Sequence, residues 1–418
     1  MRIIILLSIF ACFVFISCVK PNLDNPLIAN RSKDFIITDF GASASDSDNA
    51  VYIQKTIDSC SKAGGGNVII PGQTFLSGPI NLKSNINLYL VNGAILKAIR
   101  YGVYPKSGDT VSVPHFIYST GLTNVKITGS GVIEGQGNAW WAAYKANNSL
   151  ARPALIYFIK SKSIEVSGIT IQNAPNVHIV FNKSCDSANV IGVTINSPSS
   201  SPNTDGIDTW SPHINVTNCK ISCGDDNIAI DNGSTNINVK GCTFGTGHGC
   251  SIGSFTANVA YVTVDSCTFS STTNGLHIKS ARGRGGMVQY ISYSNSTLTN
   301  VTNPIMLESY YPKTPTTPAA DSALPINSST PNYQHINFKN ITVTGSPNAG
   351  IFWGLPEQSI NDVVFDNVNI TATAGMKAYF LSNAVFKNGS TIKVTKGSAI
   401  STYNATITGI NLTTGLPQ

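Results

Sequence analysis

Charge is the commodity this sequence has least of. Its 418 residues include 27 Lys and Arg and 21 Asp and Glu, so charged side chains make up 11%, against about 25% in typical globular proteins. Acidic and basic runs are absent, and no Lys/Arg cluster alternates with aromatics, which excludes a nucleic-acid footprint. The shortage is not disorder, because Val and Ile are plentiful beside the Asn, Ser, Thr and Gly that replace the charges. No stretch repeats apolar residues over a long 3.6-residue period, which argues against a strand-helix-strand sheet. Nine cysteines contain no CxxC pair; Cys219 and Cys223 have no matching second pair, so a zinc site is not indicated. A net charge of +6, or +5 once Arg2 is removed, would attract a polyanion; charge alone favours the alternative, a mildly basic surface with no particular meaning.

Long apolar runs are also missing, except at the start. Arg2 precedes an apolar run from Ile3 to Ile16, short of the about 20 residues that cross a bilayer. It reads as a secretion signal. Phe15-Ile16-Ser17-Cys18 resembles a bacterial lipoprotein cleavage site in which Cys18 becomes the lipidated first residue, with ordinary cleavage near Ser17 or Cys18 as the alternative. The expected organisation is a signal over 1–18, a linker over 19–34 and one domain over 35–418, acting as a monomer. A membrane would be touched only through the lipid.

What is there is a repeat. Gly168-Ile-Thr-Ile171, Gly192-Val-Thr-Ile195, Asn218-Cys-Lys-Ile221, Gly241-Cys-Thr-Phe244, Ser266-Cys-Thr-Phe269 and Asn295-Ser-Thr-Leu298 follow at steps of 24, 26, 23, 25 and 29 residues. Each begins with a small or polar residue and then alternates apolar and polar, apart from Ser296. Alternation with period two argues for a strand with one buried face. Echoes continue at Asn340-Ile-Thr-Val343 and Asn367-Val-Asn-Ile370. About this many residues complete one coil of a parallel β-helix. We therefore expect an all-β chain, a single-domain right-handed parallel β-helix; a sandwich or propeller is the alternative, but propeller blades need about 40 residues. Cys219, Cys242 and Cys267, spaced 23 and 25 apart, would stack inside the coil. Ala50, Ile53, Ile57 and Cys60 lie at helical spacing before Gly64-Gly65-Gly66 and predict a short helix capping the N-terminal opening.

Four further segments keep the same rhythm: Asn203-Thr204-Asp205, Asp225-Asp226, Gly247-His248-Gly249 and His277-Ile278-Lys279. Asp205 to Asp226 is 21 residues, Asp226 to His248 is 22, and His248 to Asn274 is 26. In a solenoid, equivalent positions lie above one another, so three carboxylates, a histidine and a lysine would form one patch. Ile207, Ile228, Cys250 and Leu276 would point inward, and Asp208, His277 and Lys279 outward, on the same outer sheet as the acids. Crowded carboxylates repel, which raises at least one pKa and separates an acid from a base. Glycoside hydrolysis needs that pair.

These segments resemble the signature of glycoside hydrolase family 28, the polygalacturonases. The resemblance extends to Asp39-Phe-Gly-Ala42, Gly64-Gly-Gly66, Ile70-Pro71, Gly78-Pro79-Ile80, Gly135-Gln-Gly137 with Trp140-Trp141, and Asn303-Pro304-Ile305, so it runs from about residue 35 to 400. It implies hydrolysis of α-1,4 bonds between galacturonic acid units of pectin with inversion. By that resemblance Asp225 is the general acid, Asp205 and Asp226 hold and activate the water, and His248 tunes the acid. Asn203 and Lys279 would bind substrate, Lys279 at a sugar carboxylate; Tyr310 would take the family's tyrosine position, with Tyr311 as its competitor. No cofactor and no metal is expected; pectate lyases share the fold but use calcium and an arginine base.

The departure is His277, where the family has arginine. Histidine offers neither a permanent charge nor a planar fork, so binding at that subsite would weaken, or the substrate would differ: rhamnogalacturonan, xylogalacturonan or another decorated pectin, or a chain attacked from its end. Arg282 and Arg284 could compensate from the turn that follows. Trp140 and Trp141 would either stack on sugars or pack a loop onto the coil. The stretch from Pro312 to Pro331 breaks the repeat and would flank the cleft as an excursion. A non-catalytic β-helix that only binds acidic polysaccharide would lack one of the acids, and none is missing.

Overall fold

A computed structural model describes residues 33–418; the expected signal and most of the linker lie outside the described residues. The first strand is Asp34–Ile36, and the chain then runs as a parallel β-helix with 32 strands among those residues. The third strand onward in the chain is generally the next partner: Ile156–Ile159 pairs with Ile179–Asn182, Lys162–Ser167 with Asp186–Ile191, and Thr170–Gln172 with Thr194–Asn196, all parallel. Each coil thus contributes one short strand to each of three sheets.

The repeated four-residue unit has a physical reason. Its first residue turns the corner in the left-handed region: Gly168 (φ 73), Gly192 (61), Asn218 (54), Gly241 (64), Ser266 (55) and Asn295 (49) all do so. Glycine has no Cβ to clash there, and asparagine is the next best tolerated. The second and fourth residues then point inward. Ile169 and Ile171, Val193 and Ile195, Cys219 and Ile221, Cys242 and Phe244, and Cys267 and Phe269 are all buried in one core. Ser296, the exception to the apolar rule, donates to Ser294 O at 2.7 Å and accepts from Cys267 N at 3.1 Å, so its hydroxyl is not left bare inside. All seven described cysteines are free and buried.

Helix Ala50–Lys62 buries Ile53, Thr56, Ile57 and Cys60 against the first coil, covering core that would otherwise end in water. A second helix, Gly137–Ala146, was not legible as a period in the sequence. Trp140 is fully buried, edge-on to Tyr101 and Tyr104 at 5.0 and 5.6 Å, and Trp141 Nε1 donates to Ala174 O at 3.0 Å. Both tryptophans therefore pack the helix onto the coil. The last coils also differ from the expected short strands. Asn332–Asn348, Ile360–Lys387 and Thr391–Thr408 keep pairing around their corners, with register shifts such as the one between Val343 and Ser346.

One sheet positions the chemistry. Its strands include Ile179–Asn182, Ile207–Thr209, Ile228–Ile230, Cys250–Ile252, Asn274–Lys279 and Asn303–Glu308. Ile179, Ile207, Ile228, Cys250, Leu276 and Ile305 form an unbroken inward column, each paired with the next. The neighbouring outward column runs Val180, Asp208, Ala229, Ser251, His277, Met306.

Candidate active site

The segments carrying the acids enter this sheet from the same side and stay in register through backbone bonds beyond the strands. Gly206 N donates to Asp226 O at 2.9 Å, His248 N to Asp225 O at 2.8 Å, and Thr273 N to Gly247 O at 2.8 Å. Asn227, fully buried, donates to Ile221 O and Thr246 O and accepts Gly249 N at 2.8 Å, which anchors the Gly-His-Gly turn. Gly249 has φ +79, and a Cβ there would meet Asn274 O at 2.3 Å. Only glycine lets the chain carry His248 this close to the next coil.

Asp225, Asp226 and His248 come together. His248 Nδ1 lies 3.0 Å from Asp225 Oδ1 and 4.0 Å from Asp226 Oδ1. Asp225 also accepts Asp226 N at 3.0 Å and Asn203 Nδ2 at 3.2 Å. Burial pushes Asp225 up, but the His248 bond and charge, with Lys279 behind them, outweigh it and hold the carboxyl below its usual range. The same bond to Asp225 raises His248 above an ordinary imidazole, against burial. The pair is therefore an imidazolium beside a carboxylate, holding one proton between them. Asp205 goes the opposite way: burial, then the charges of Asp225 and Asp226, raise it well above the usual carboxylate value. Asp205 and Asp225, in one patch, are thus pushed in opposite directions.

Lys279 and His277, expected at a sugar carboxylate, lie against protein groups. Lys279 Nζ bonds Asp226 Oδ2 at 2.8 Å with both side chains buried; burial lowers its pKa, but Asp226 more than reverses this and raises it. His277 is 2% exposed, with Nδ1 3.3 Å from Ser251 Oγ and Nε2 3.9 Å from Glu308 Oε1. Both point outward as the alternation required. They are buried because the excursion after the strand covers that face: the Tyr311 ring lies 4.9 Å from Lys279 Nζ, and Thr314 Oγ1 donates to Glu308 Oε2 at 2.8 Å. Tyr311 is the tyrosine that lies against Lys279. Tyr310 instead donates to Asp321 at 2.8 Å and sits edge-on to Trp353. Arg282 is equally occupied, with Glu357 at 2.6 Å and Asp321 at 2.7 Å, so it straps the excursion to the coil and does not reach the acids.

Arg152 belongs here and carried no sequence signal, since it lies 51 residues from Asn203 in a loop outside the repeat. Its guanidinium donates to Asn203 Oδ1 at 2.8 Å and to Pro175 O and Pro202 O at 3.0 and 2.6 Å, and stacks 3.7 Å from the Tyr144 ring centre. It is close enough to Asp205 and Asp225 to feel both charges. Ser251, which donates to Asp226 Oδ1 at 2.7 Å, also went unread. A metal ion could in principle use Asp225, Asp226 and His248, whose ligand atoms lie within 4.8 Å of one another. The cation already opposite Asp226, however, is the ammonium of Lys279.

The family model for glycosyl hydrolases family 28 matches residues 60–411. The chain belongs to this family. It is 35% identical over 326 residues to the endo-polygalacturonase of Pectobacterium carotovorum subsp. carotovorum, covering 69% of this chain and 76% of that one. It is 35% identical over 289 residues to a polygalacturonase of Juniperus ashei, covering 66% of this chain and 56% of that one. The solved polygalacturonase of Erwinia carotovora ssp. carotovora superposes with a TM-score of 0.68 at 29% identity, over 90% of this chain and 96% of that one. The parallel β-helix of this family 28 chain is therefore shared along nearly all of its described length, while it spans little more than half the length of the juniper relative.

Arg152→Ala removes the donor that orients Asn203 and a positive charge beside two acids. Hydrogen bonds to charged groups contribute about 1.5–3 kcal/mol, so kcat/KM on the family's polymer should fall by about 10- to 100-fold with the melting temperature little changed. Steady-state kinetics of the variant check this, and an unchanged kcat/KM would remove Arg152 from the site.

Proposed function

We propose that this chain hydrolyses α-1,4-galacturonosidic bonds of polygalacturonate by an inverting mechanism. The observation that carries the reading is the Asp225–His248 pair, 3.0 Å apart, holding one proton next to two further carboxylates. A lowered Asp225 is a poor acid alone. With His248 protonated beside it, the imidazolium passes its Nδ1 proton to Asp225 as Asp225 gives one to the glycosidic oxygen, which leaves a neutral imidazole beside a carboxylate. Asp226, held at Oδ2 by Lys279 and at Oδ1 by Ser251, is the base that takes a proton from water on the opposite face of the sugar. Asp205, raised by burial and its neighbours, keeps a proton of its own and can donate a hydrogen bond that places this water. Arg152 and the mildly basic surface suit an acidic polymer.

A second reading, attack near a chain end, is favoured by one observation. Tyr311, Thr314 and Tyr310 cover the outer face around Lys279, Glu308 and Trp353, so a polymer cannot lie across those strands. Incubation with polygalacturonic acid separates the two: a ladder of oligomers means mid-chain cleavage, and monomer alone means release from an end. No reducing ends from this polymer, with release from rhamnogalacturonan or xylogalacturonan, would overturn the substrate. Asp225→Asn should lower turnover by at least about a thousandfold with the fold retained, a loss of about 4 kcal/mol in transition-state stabilisation; retained activity would remove Asp225 from the acid role.

The pH profile tests the shared proton. Because His248 is raised, the pair keeps its proton below that raised value and loses it as pH climbs through it, which sets the alkaline limb of kcat/KM. In His248→Gln the proton rests on Asp225 alone, so the limb should move to lower pH. An unmoved limb would show that His248 is not part of the acid.

Residues 1–18 are proposed to export the enzyme, with Cys18 lipidated and the protein held at the cell envelope. Fractionation of the bacterial host should find wild type with the membranes and Cys18→Ser in the medium; identical distributions would refute the anchor.

A further inference from the structure

His277 is buried, yet it is linked to the proposed base. Asp226 Oδ1 accepts the Ser251 hydroxyl at 2.7 Å. A serine hydroxyl has one proton to give, and here it goes to the carboxylate. The 3.3 Å contact between Ser251 Oγ and His277 Nδ1 must then run the other way, with Nδ1–H donating to the serine oxygen. Ser251 has a competing acceptor, His248 O, at 3.5 Å. Occupation of its oxygen by Nδ1–H is what turns the hydroxyl toward Asp226.

We infer that His277 is a positioning residue for the reaction, acting through Ser251 to hold the carboxylate of Asp226 in the plane set by Lys279. The inference rests on the reading of Asp226 as the base. Its other ring nitrogen has no partner within hydrogen-bond distance to claim the proton. Nε2 is buried with no hydrogen-bond partner, 3.9 Å from Glu308 Oε1, whose other oxygen is held by Thr314. Burying such an atom is unfavourable, and an apolar side chain would avoid it; what histidine adds over such a side chain is the Nδ1–H donor. The charged groups facing the ring are Glu308, Lys279 and Asp226. Burial, with Lys279 acting in the same direction, lowers the imidazole's pKa against the pull of the two acids. The ring is therefore neutral at neutral pH, with one proton to place.

Two measurements test this. The nitrogen NMR spectrum of the imidazoles, at neutral pH and without substrate, should show His277 as the Nδ1–H tautomer; the Nε2–H form overturns the inference whatever the enzyme hydrolyses. On polygalacturonate, His277→Leu and Ser251→Ala should each lower kcat about tenfold or more with KM within about twofold, the signature of an interaction that matters in the transition state. The double variant should be no worse than the weaker single one, because both remove the same link. His277→Asn, whose amide N–H can stand in for Nδ1–H, should recover most of the loss, with melting temperatures confirming that all four variants fold. A rise in KM at constant kcat, or additive losses, would overturn the positioning role. Absence of hydrolysis by wild type would instead count against the proposed function and leave the tautomer result standing.

Discussion

The parallel backbone ladder between coils is the constraint from which the site follows. It holds neighbouring strands about 4.8 Å apart, and the segments bearing Asp205, Asp226 and His248 stay on it through bonds such as Gly206 N to Asp226 O. A solenoid therefore cannot place an acid on each of two successive coils without crowding them. At an effective dielectric of about 20, two unit charges one strand apart repel by roughly 3–4 kcal/mol. Two cations answer that repulsion. His248 sits against Asp225, and Lys279 reaches Asp226 from a residue 53 positions later. Asp205 bonds no cation among the described residues, and burial with the charges of Asp225 and Asp226 drives its carboxyl up. The difference between the acids is thus a product of burial together with where the coil delivers positive charge.

Much of this was legible in the sequence because the coil repeats its local physics. A left-handed corner followed by apolar, polar, apolar leaves the same mark at Gly168, Asn218 and Ser266, and the four motif segments fall on the same rhythm. What could not be read belongs to chain that departs from the repeat. Arg152 and helix Gly137–Ala146 lie in an insertion with no period to betray them. The one-residue choice between Tyr310 and Tyr311 depends on how the excursion turns after Glu308. Arg282 looked like a free cation in its turn, and its partners Asp321 and Glu357 stand 39 and 75 residues further on.

The alternation also carried a hidden assumption, that outward means exposed. It is true for a sheet facing water. Here the outer face has a second layer, so Lys279 and His277 point outward and are buried all the same. That layer changes their chemistry. A lysine in open water would be a loose counter-charge worth little; enclosed beneath Tyr311, it is a fixed donor to one oxygen of Asp226.

The same enclosure makes sense of histidine at 277. Arginine in that place would bring a permanent guanidinium beside the buried Lys279, whose charge Asp226 already meets, and would tie Glu308 down as its counter-ion. Neutral histidine supplies a directed N–H to Ser251 without adding charge. The residue that departs from the family pattern then lies beneath that layer, against Ser251 and Glu308. One ammonium and one hydroxyl then hold Asp226, and under the proposed function an acidic polymer would be met from the side where Arg152 and Asn203 stand.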